Sequence, residues 1–236
     1  VARMCVLLAG LPVTVGGVTV NRLCASGMQA FTDGVRSIKS GEGECCIVGG
    51  VESMTRAPFV LAKNPDAFGR NTDMFDTTIG WRFVNKKLAK MYHPYSMGET
   101  AENVAEKFNI SREDQDVFAY NSQMKAKAAV ESGRFKNEII PVDISSKKEK
   151  ILFETDEFPR FDTTVEKLAG LKPAFRENGS VTAGNSSGIN DGASMMLIAS
   201  EDFVSKHDLK PRARFIASAV AGVDPSCMGI GPVPAV

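Results

Sequence analysis

The sequence predicts an α/β protein whose core is interrupted by a long insertion. Three observations carry that expectation. A Val- and Thr-rich stretch, Gly17 to Asn21, runs into a helical pattern and then into the apolar run Cys45 to Val51. From residue 56 to 178 the texture is irregular, polar and charged. Apolar segments then resume at Val181-Thr182, Ala193 to Ala199 and Ala213 to Val223. The expected organisation is a partial core over 1–55, an inserted subdomain over 56–178 and a return to the core over 179–236.

Each element has a local cause. Val1 to Ala9 reads as a helix. Gly17 to Asn21 reads as a short strand. Met28, Phe31, Val35 and Ile38 are spaced three, four and three apart, which marks one buried helical face. Gly41 supplies the stop. Cys45 to Val51 suits a strand covered on both faces, so strand, helix and strand imply a parallel βαβ unit. Within the insertion, helices are expected near Val84 to Met91, over Gly98 to Phe108, and from a Ser111/Asp114 capping box to about Ser132. Ile139 to Ile144 reads as a strand, and Lys147 to Lys172 as charged surface. Val181-Thr182 and Ala213 to Val223 read as strands, and Glu201 to His207 as a helix.

The composition narrows the function. The 236 residues are 43% hydrophobic and 24% charged, ordinary values for a globular domain. Lys plus Arg equals Asp plus Glu at 28 each, so bulk electrostatic attraction to nucleic acid or an anionic membrane is not expected. No apolar run approaches a bilayer span. The cysteines are Cys5, Cys24, Cys45, Cys46 and Cys227, an odd number without a C-x-x-C pair, so neither a disulfide scaffold nor a metal site is expected. A reducing, cytoplasmic setting fits. The chain opens on Val1 and reads as partial at both ends, so an organellar leader stays open.

Cys24 stands where the first strand gives way to a helix. Unpaired amides and the helix dipole at such a point favour a thiolate and can hold an oxyanion. Ala25, Ser26 and Gly27 leave room for a carbonyl. Taken alone, the same cysteine also fits a small buried apolar residue.

The segment Val20-Asn21-Arg22-Leu23-Cys24-Ala25-Ser26-Gly27 resembles the acyl-enzyme motif of thiolases, V-N-x-x-C-x-S-G. Four further segments resemble that family in order: Gly49 to Thr55, Ser96 to Ala105, Thr182 to Ala193 and Met228 to Pro234. The resemblance implies a thiolase-like layered αβαβα fold, here the N-terminal half with an inserted loop domain, and it implies acyltransferase chemistry. Cys24 takes an acyl group from a 3-oxoacyl-CoA, acetyl-CoA leaves, and free coenzyme A collects the acyl group; the reverse joins two acyl groups. Coenzyme A is then a substrate, and no permanently bound cofactor is expected. By matching motifs, Met97, Arg160, Phe175, Ala183, Gly184 and Ser187 are the implied coenzyme A contacts. Read without the family, Arg160 is a solvated surface residue and Phe175 and Met97 are core residues. A homodimer or homotetramer is implied as well.

The chain departs from the family pattern. The family's G-H-P and C-x-G-G-G motifs do not occur, so the activating His and second Cys are missing and this stretch alone is expected to be inactive. Ser96 stands where many members have His. Asp76 to Phe83 resembles the β-ketoadipyl-CoA type of degradative thiolase, which hints at a dicarboxylic acyl chain. Two rivals share part of this pattern: a decarboxylating ketoacyl synthase, and a thiolase-like protein that only binds acyl-CoA.

Overall fold

A computed structural model of the chain describes residues 1–236. The chain packs as two compact units, Val1–Pro58 with Ile189–Val220, and Phe59–Gly188 with Ala221–Val236. The sequence places the return to the core at 179; the contacts divide the chain after 188 and again after 220.

The first unit holds helix α1 (Ala2–Leu8), helix α2 (Ser26–Lys39) and strand β1 (Cys45–Glu52). Its later part is strand β6 (Gly192–Ala199) and helix α7 (Glu201–Lys206). The second unit holds short strands β2 (Phe59–Leu61) and β3 (Met74–Asp76), then helices α3 (Lys86–Met91), α4 (Met97–Phe108) and α5 (Arg112–Glu131). A two-residue hairpin, β4 (Val142–Asp143) and β5 (Leu152–Phe153), precedes helix α6 (Val165–Ala169), and helix α8 (Pro232–Ala235) lies at the end.

β1 pairs with β6 in antiparallel register, from Cys45 opposite Ala199 to Glu52 opposite Gly192. This corrects the parallel βαβ expectation. Gly17 to Asn21 forms no strand; it is an extended strap against α1. Thr19 Oγ1 accepts the Ala2 amide at 3.2 Å, and a Cβ on Gly17 would lie 2.8 Å from the Arg3 nitrogen. Alternating Val and Thr permit a strand, but a ladder partner creates one, and here that partner is absent. The run 213–223 is likewise unpaired. It packs through side chains instead, with Phe215 5.7 Å from the Phe31 ring and Lys39 Nζ 5.0 Å above Phe215. The expected strand at 139–144 shrinks to Val142–Asp143, and Val181-Thr182 is buried loop.

α2 lies on one face of the β1–β6 pair. Gly27 lies against Gly50 and Gly34 against Val48 and Ile198, and Thr32 and Val35 are the buried side chains of the helix. Met28, expected inside, is 72% exposed at the helix's open end. Gly41, at φ +80, ends the helix as expected, with the Glu42 amide returning to the Ser37 carbonyl. β1 is covered on one face only: Val48 is buried, whereas Ile47, Val51, Met195 and Leu197 are exposed on the other.

Two glycines of β1 have separate tasks. A Cβ on Gly49 would overlap the Ser194 carbonyl oxygen of β6, and a Cβ on Gly50 would come 3.2 Å from the Cα of Gly27. The first lets the strands pair; the second lets α2 lie close to the strand. Gly49→Ala is therefore expected to destabilise the protein by about 2–4 kcal/mol, read as a lower urea midpoint. Glycine-to-alanine replacement at Gly43, where nothing lies within 4 Å, is expected to change that midpoint little.

Candidate active site

The turn ahead of α2 is built by its own side chains. Asn21 Oδ1 accepts the Leu23 amide at 2.9 Å. Ser26 Oγ accepts the Arg22 amide at 2.8 Å and donates to the Leu23 carbonyl at 2.6 Å. Leu23 is driven to φ 51, the left-handed region, which costs free energy for a leucine and is maintained by these bonds. Cys24 follows on the crest and is exposed. Beyond it, the amides of Gly27 and Met28 make no hydrogen bond within the chain. Arg22 reaches Gln29 Oε1 at 2.8 Å, and Gln29 reaches Asp33 at 2.8 Å, so the turn is braced along the helix. Covalent acyl transfer needs an accessible thiol beside free amide donors, and this turn offers an exposed cysteine followed by two unpaired amides.

The other cysteines differ. Cys227 is buried. Burial, and then neighbouring Cys46, push the Cys45 thiol above its ordinary value of 9.0. A thiol held protonated is a poor nucleophile. His207 ends α7 exposed, and His93 is exposed beside Tyr95.

Two of the family-like segments meet here. Thr55 donates its amide and hydroxyl to Asp191 at 2.9 and 2.6 Å, joining the end of β1 to the turn before β6. Those bonds, the hydroxyl first, hold the Asp191 carboxyl below its usual range.

The second unit carries the other candidate residues. Met97 opens α4 and is 65% exposed. Phe175 lies on Gly98 so closely that a Cβ there would overlap its ring. Gly184 is wedged against Leu168 and Leu171, each 2.5 Å from where its Cβ would be. Ala183 and Ser187 are exposed on the same loop. Arg160 is exposed elsewhere in the unit, its amide donating to Gln123 at 2.8 Å. Ser96 has a clear local use: it caps α4 in a reciprocal capping box with Glu99. The box expected at Ser111 is half formed, since the Asp114 carboxylate takes the Ser111 hydroxyl rather than its amide.

A buried polar network fixes the 180–185 loop, and sequence reasoning passed over it. Glu102, 4% exposed, accepts the Ser180 and Val181 amides at 2.9 and 2.8 Å and the Ser180 hydroxyl at 2.9 Å. Asn185 bridges the Thr182 amide, the Ser180 carbonyl and the buried Asp116. Asp116 also pairs with Arg112 at 2.7 Å. Arg176 donates to Asn103 at 2.6 Å, and Asn103 donates to the Ser226 carbonyl at 2.9 Å. The legible signal was position: Gly98, Glu102 and Ala105 share one helical face, so the carboxylate stands on the buried side.

The family model "Thiolase, N-terminal domain" matches residues 1–202. The chain belongs to the thiolase family. It is 55% identical over 236 residues to the 3-oxoadipyl-CoA/3-oxo-5,6-dehydrosuberyl-CoA thiolase of Escherichia coli (strain K12), covering 100% of this chain and 59% of that protein. It is 56% identical over 236 residues to the beta-ketoadipyl-CoA thiolase of Pseudomonas aeruginosa, with the same coverage of 100% and 59%. Human mitochondrial 3-ketoacyl-CoA thiolase in complex with CoA superposes with a TM-score of 0.85 at 40% identity, over 99% of this chain and 57% of that one. The chain thus spans about three fifths, 59%, of the curated relatives it matches. Its mixed α/β fold is the thiolase fold, incomplete by that measure.

The Glu102 carboxylate yields a pH test. Burial raises its pKa, but the Ser180 and Val181 amides, the Ser180 hydroxyl and Arg176 outweigh it, so the net shift is below the ordinary 4.5. A depressed folded value stabilises the protein above 4.5, and that contribution is lost as pH falls from 4.5 through the folded value. Glu102→Gln is expected to lower stability at neutral pH by about 2 kcal/mol and to flatten the acid limb, read by urea denaturation across pH.

Proposed function

We propose that Cys24 is the acyl-carrying nucleophile of a coenzyme A-dependent thiolase. The observation that carries this reading is the exposed Cys24 on a left-handed turn, next to the unpaired amides of Gly27 and Met28. The Cys24 sulfur adds to the 3-keto carbon of a 3-oxoacyl-CoA, and the free amides stabilise the oxyanion. The C2–C3 bond then breaks, acetyl-CoA leaves after its α-carbon is protonated, and the thiol of a second coenzyme A displaces the acyl group from sulfur. The same steps in reverse make a Claisen condensation.

We assign Met97, Phe175, Ala183, Gly184 and Ser187 to coenzyme A contact, with Arg160 as a partner for a phosphate or the adenine face. Ala183 and Ser187, small and exposed, suit a pantetheine arm that meets backbone, and the 180–185 network keeps that backbone fixed. A human thiolase solved with CoA supports this reading. The names of the bacterial relatives support a 3-oxo dicarboxylic acyl chain of the adipyl type. We place the whole protein in aromatic or fatty acid degradation as a homodimer or homotetramer. The 236 residues alone lack G-H-P and C-x-G-G-G, so they are expected to bind acyl-CoA without turnover.

Full-length protein mixed with acetyl-CoA is expected to gain one acetyl group, mapped by mass to Cys24. Cys24→Ala should abolish both label and CoA exchange. Label on Cys45 or Cys227 instead would remove Cys24 from this role. Gly98→Ala is expected to displace the Phe175 ring and raise KM for coenzyme A about tenfold, with smaller change in kcat.

A further inference from the structure

We propose that Arg112 and Asp116 are positioning residues for the coenzyme A-binding loop 182–187; this rests on the coenzyme A contacts proposed above. Every group involved belongs to the second unit. Arg112, Gln115 and Asp116 stand at i, i+3 and i+4 on α5 and so share one helical face. The Arg112 and Asp116 side chains are 21% and 3% exposed, whereas both partners of each of the other four ion pairs are at least 36% exposed. A buried charge pair gains little stability over apolar packing, because desolvation offsets its attraction; what it supplies is fixed geometry.

The pair grips the loop in two ways. Asp116 Oδ1 accepts from Asn185 Nδ2 at 3.0 Å, and neighbouring Gln115 donates to the Ser180 hydroxyl at 2.9 Å. Asp116 Oδ2 accepts from Arg112 Nε at 2.7 Å. The same guanidinium donates through Nη2 to the Leu168 and Leu171 carbonyls at 2.7 and 3.0 Å. Leu168 and Leu171 are the side chains against which Gly184 is wedged. One ion pair thus fixes residue 185 by a hydrogen bond and residue 184 by packing.

Because side chains hold the loop, part of its backbone is left over. The fully buried Thr182 gives its hydroxyl to the Gly184 and Asn185 amides at 3.2 and 3.4 Å. The amides of Ala183, Ser186 and Ser187, and the hydroxyls of Ser186 and Ser187, make no hydrogen bond within the chain. These are donors in a fixed array, and the pantetheine arm of coenzyme A carries amide carbonyls for them. A loop already in its binding conformation does not lose ordering entropy when the arm arrives, which is how residues that touch no ligand raise its affinity.

The test compares full-length wild type with Asp116→Asn, Asn185→Ala and Asn85→Ala. Asn85 caps α3 outside this network, so its variant controls for lost stability in the same unit. Asn185→Ala cuts the loop from Asp116 and leaves the ion pair intact, so it decides the matter where Asp116→Asn does not fold. Two quantities are read: KM for coenzyme A against kcat in thiolysis of 3-oxoadipyl-CoA, and amide hydrogen exchange of the 181–188 segment with and without coenzyme A. Both network variants are expected to speed exchange in the free protein and to raise KM about tenfold with kcat within about twofold, as for a competent loop populated about a tenth of the time. Asn85→Ala should move neither quantity. An unchanged KM in Asn185→Ala, a loss confined to kcat, or an equal rise in KM from Asn85→Ala overturns the positioning role. Coenzyme A should also slow exchange of 181–188 in wild type. Binding of coenzyme A that leaves that segment unchanged overturns the contact reading itself, and the positioning role with it.

Discussion

The contact between Gly27 and Gly50 is the constraint on which the first unit depends. A helix can approach a strand this closely only where neither residue carries a Cβ. The approach sets the height of α2 over β1, and the turn bearing Cys24 is the first thing α2 dictates. Gly34 repeats the device about two turns further on, where a Cβ would meet Ile198 and Val48 at 2.8 Å. The family-like segments around Cys24 and around Gly49-Gly50 are thus two halves of one packing solution.

The second unit buries carboxylates and threonines among its apolar residues. Its most deeply buried side chains are Thr182 and Asp116, and Glu102 lies nearly as deep. Burying carboxylates is costly unless every lone pair is met. Here amides, hydroxyls, Asn185 and Arg112 meet them, and no buried side-chain polar atom lacks a partner. Such a network tolerates few alternative loop conformations, because each departure strands a buried donor or acceptor. An irregular loop of small residues, 180–185, is thereby held in one conformation.

Helices were well legible in the sequence. The spans at 2–8, 26–39, 97–108 and 112–131 follow from periodicity, capping serines and stop glycines, all of which act within a few residues. Strands were not. Gly17 to Asn21 and Ala213 to Val223 have strand-like residues and form no strand, while Cys45 to Val51 found an antiparallel partner nearly 150 positions away instead of a parallel one nearby. Met28 looked inward by spacing from Phe31, but Gly27 is the residue that meets β1, and it has no apolar side chain to announce it. For the candidate site, Cys24 and its turn were visible, whereas nothing along the sequence marked Glu102, Asp116 and Arg112 as a buried network.

The sequence by itself determined where the main helices run, the stop at Gly41, the cap at Ser111, and which cysteine stands just ahead of a helix, because those properties depend on neighbours along the chain. Only the tertiary structure decided which strand pairs with which, which face of β1 stays open, and which carboxylates are buried. These depend on partners far away in sequence, and a carboxylate carries the same side chain whether water or two backbone amides satisfy it.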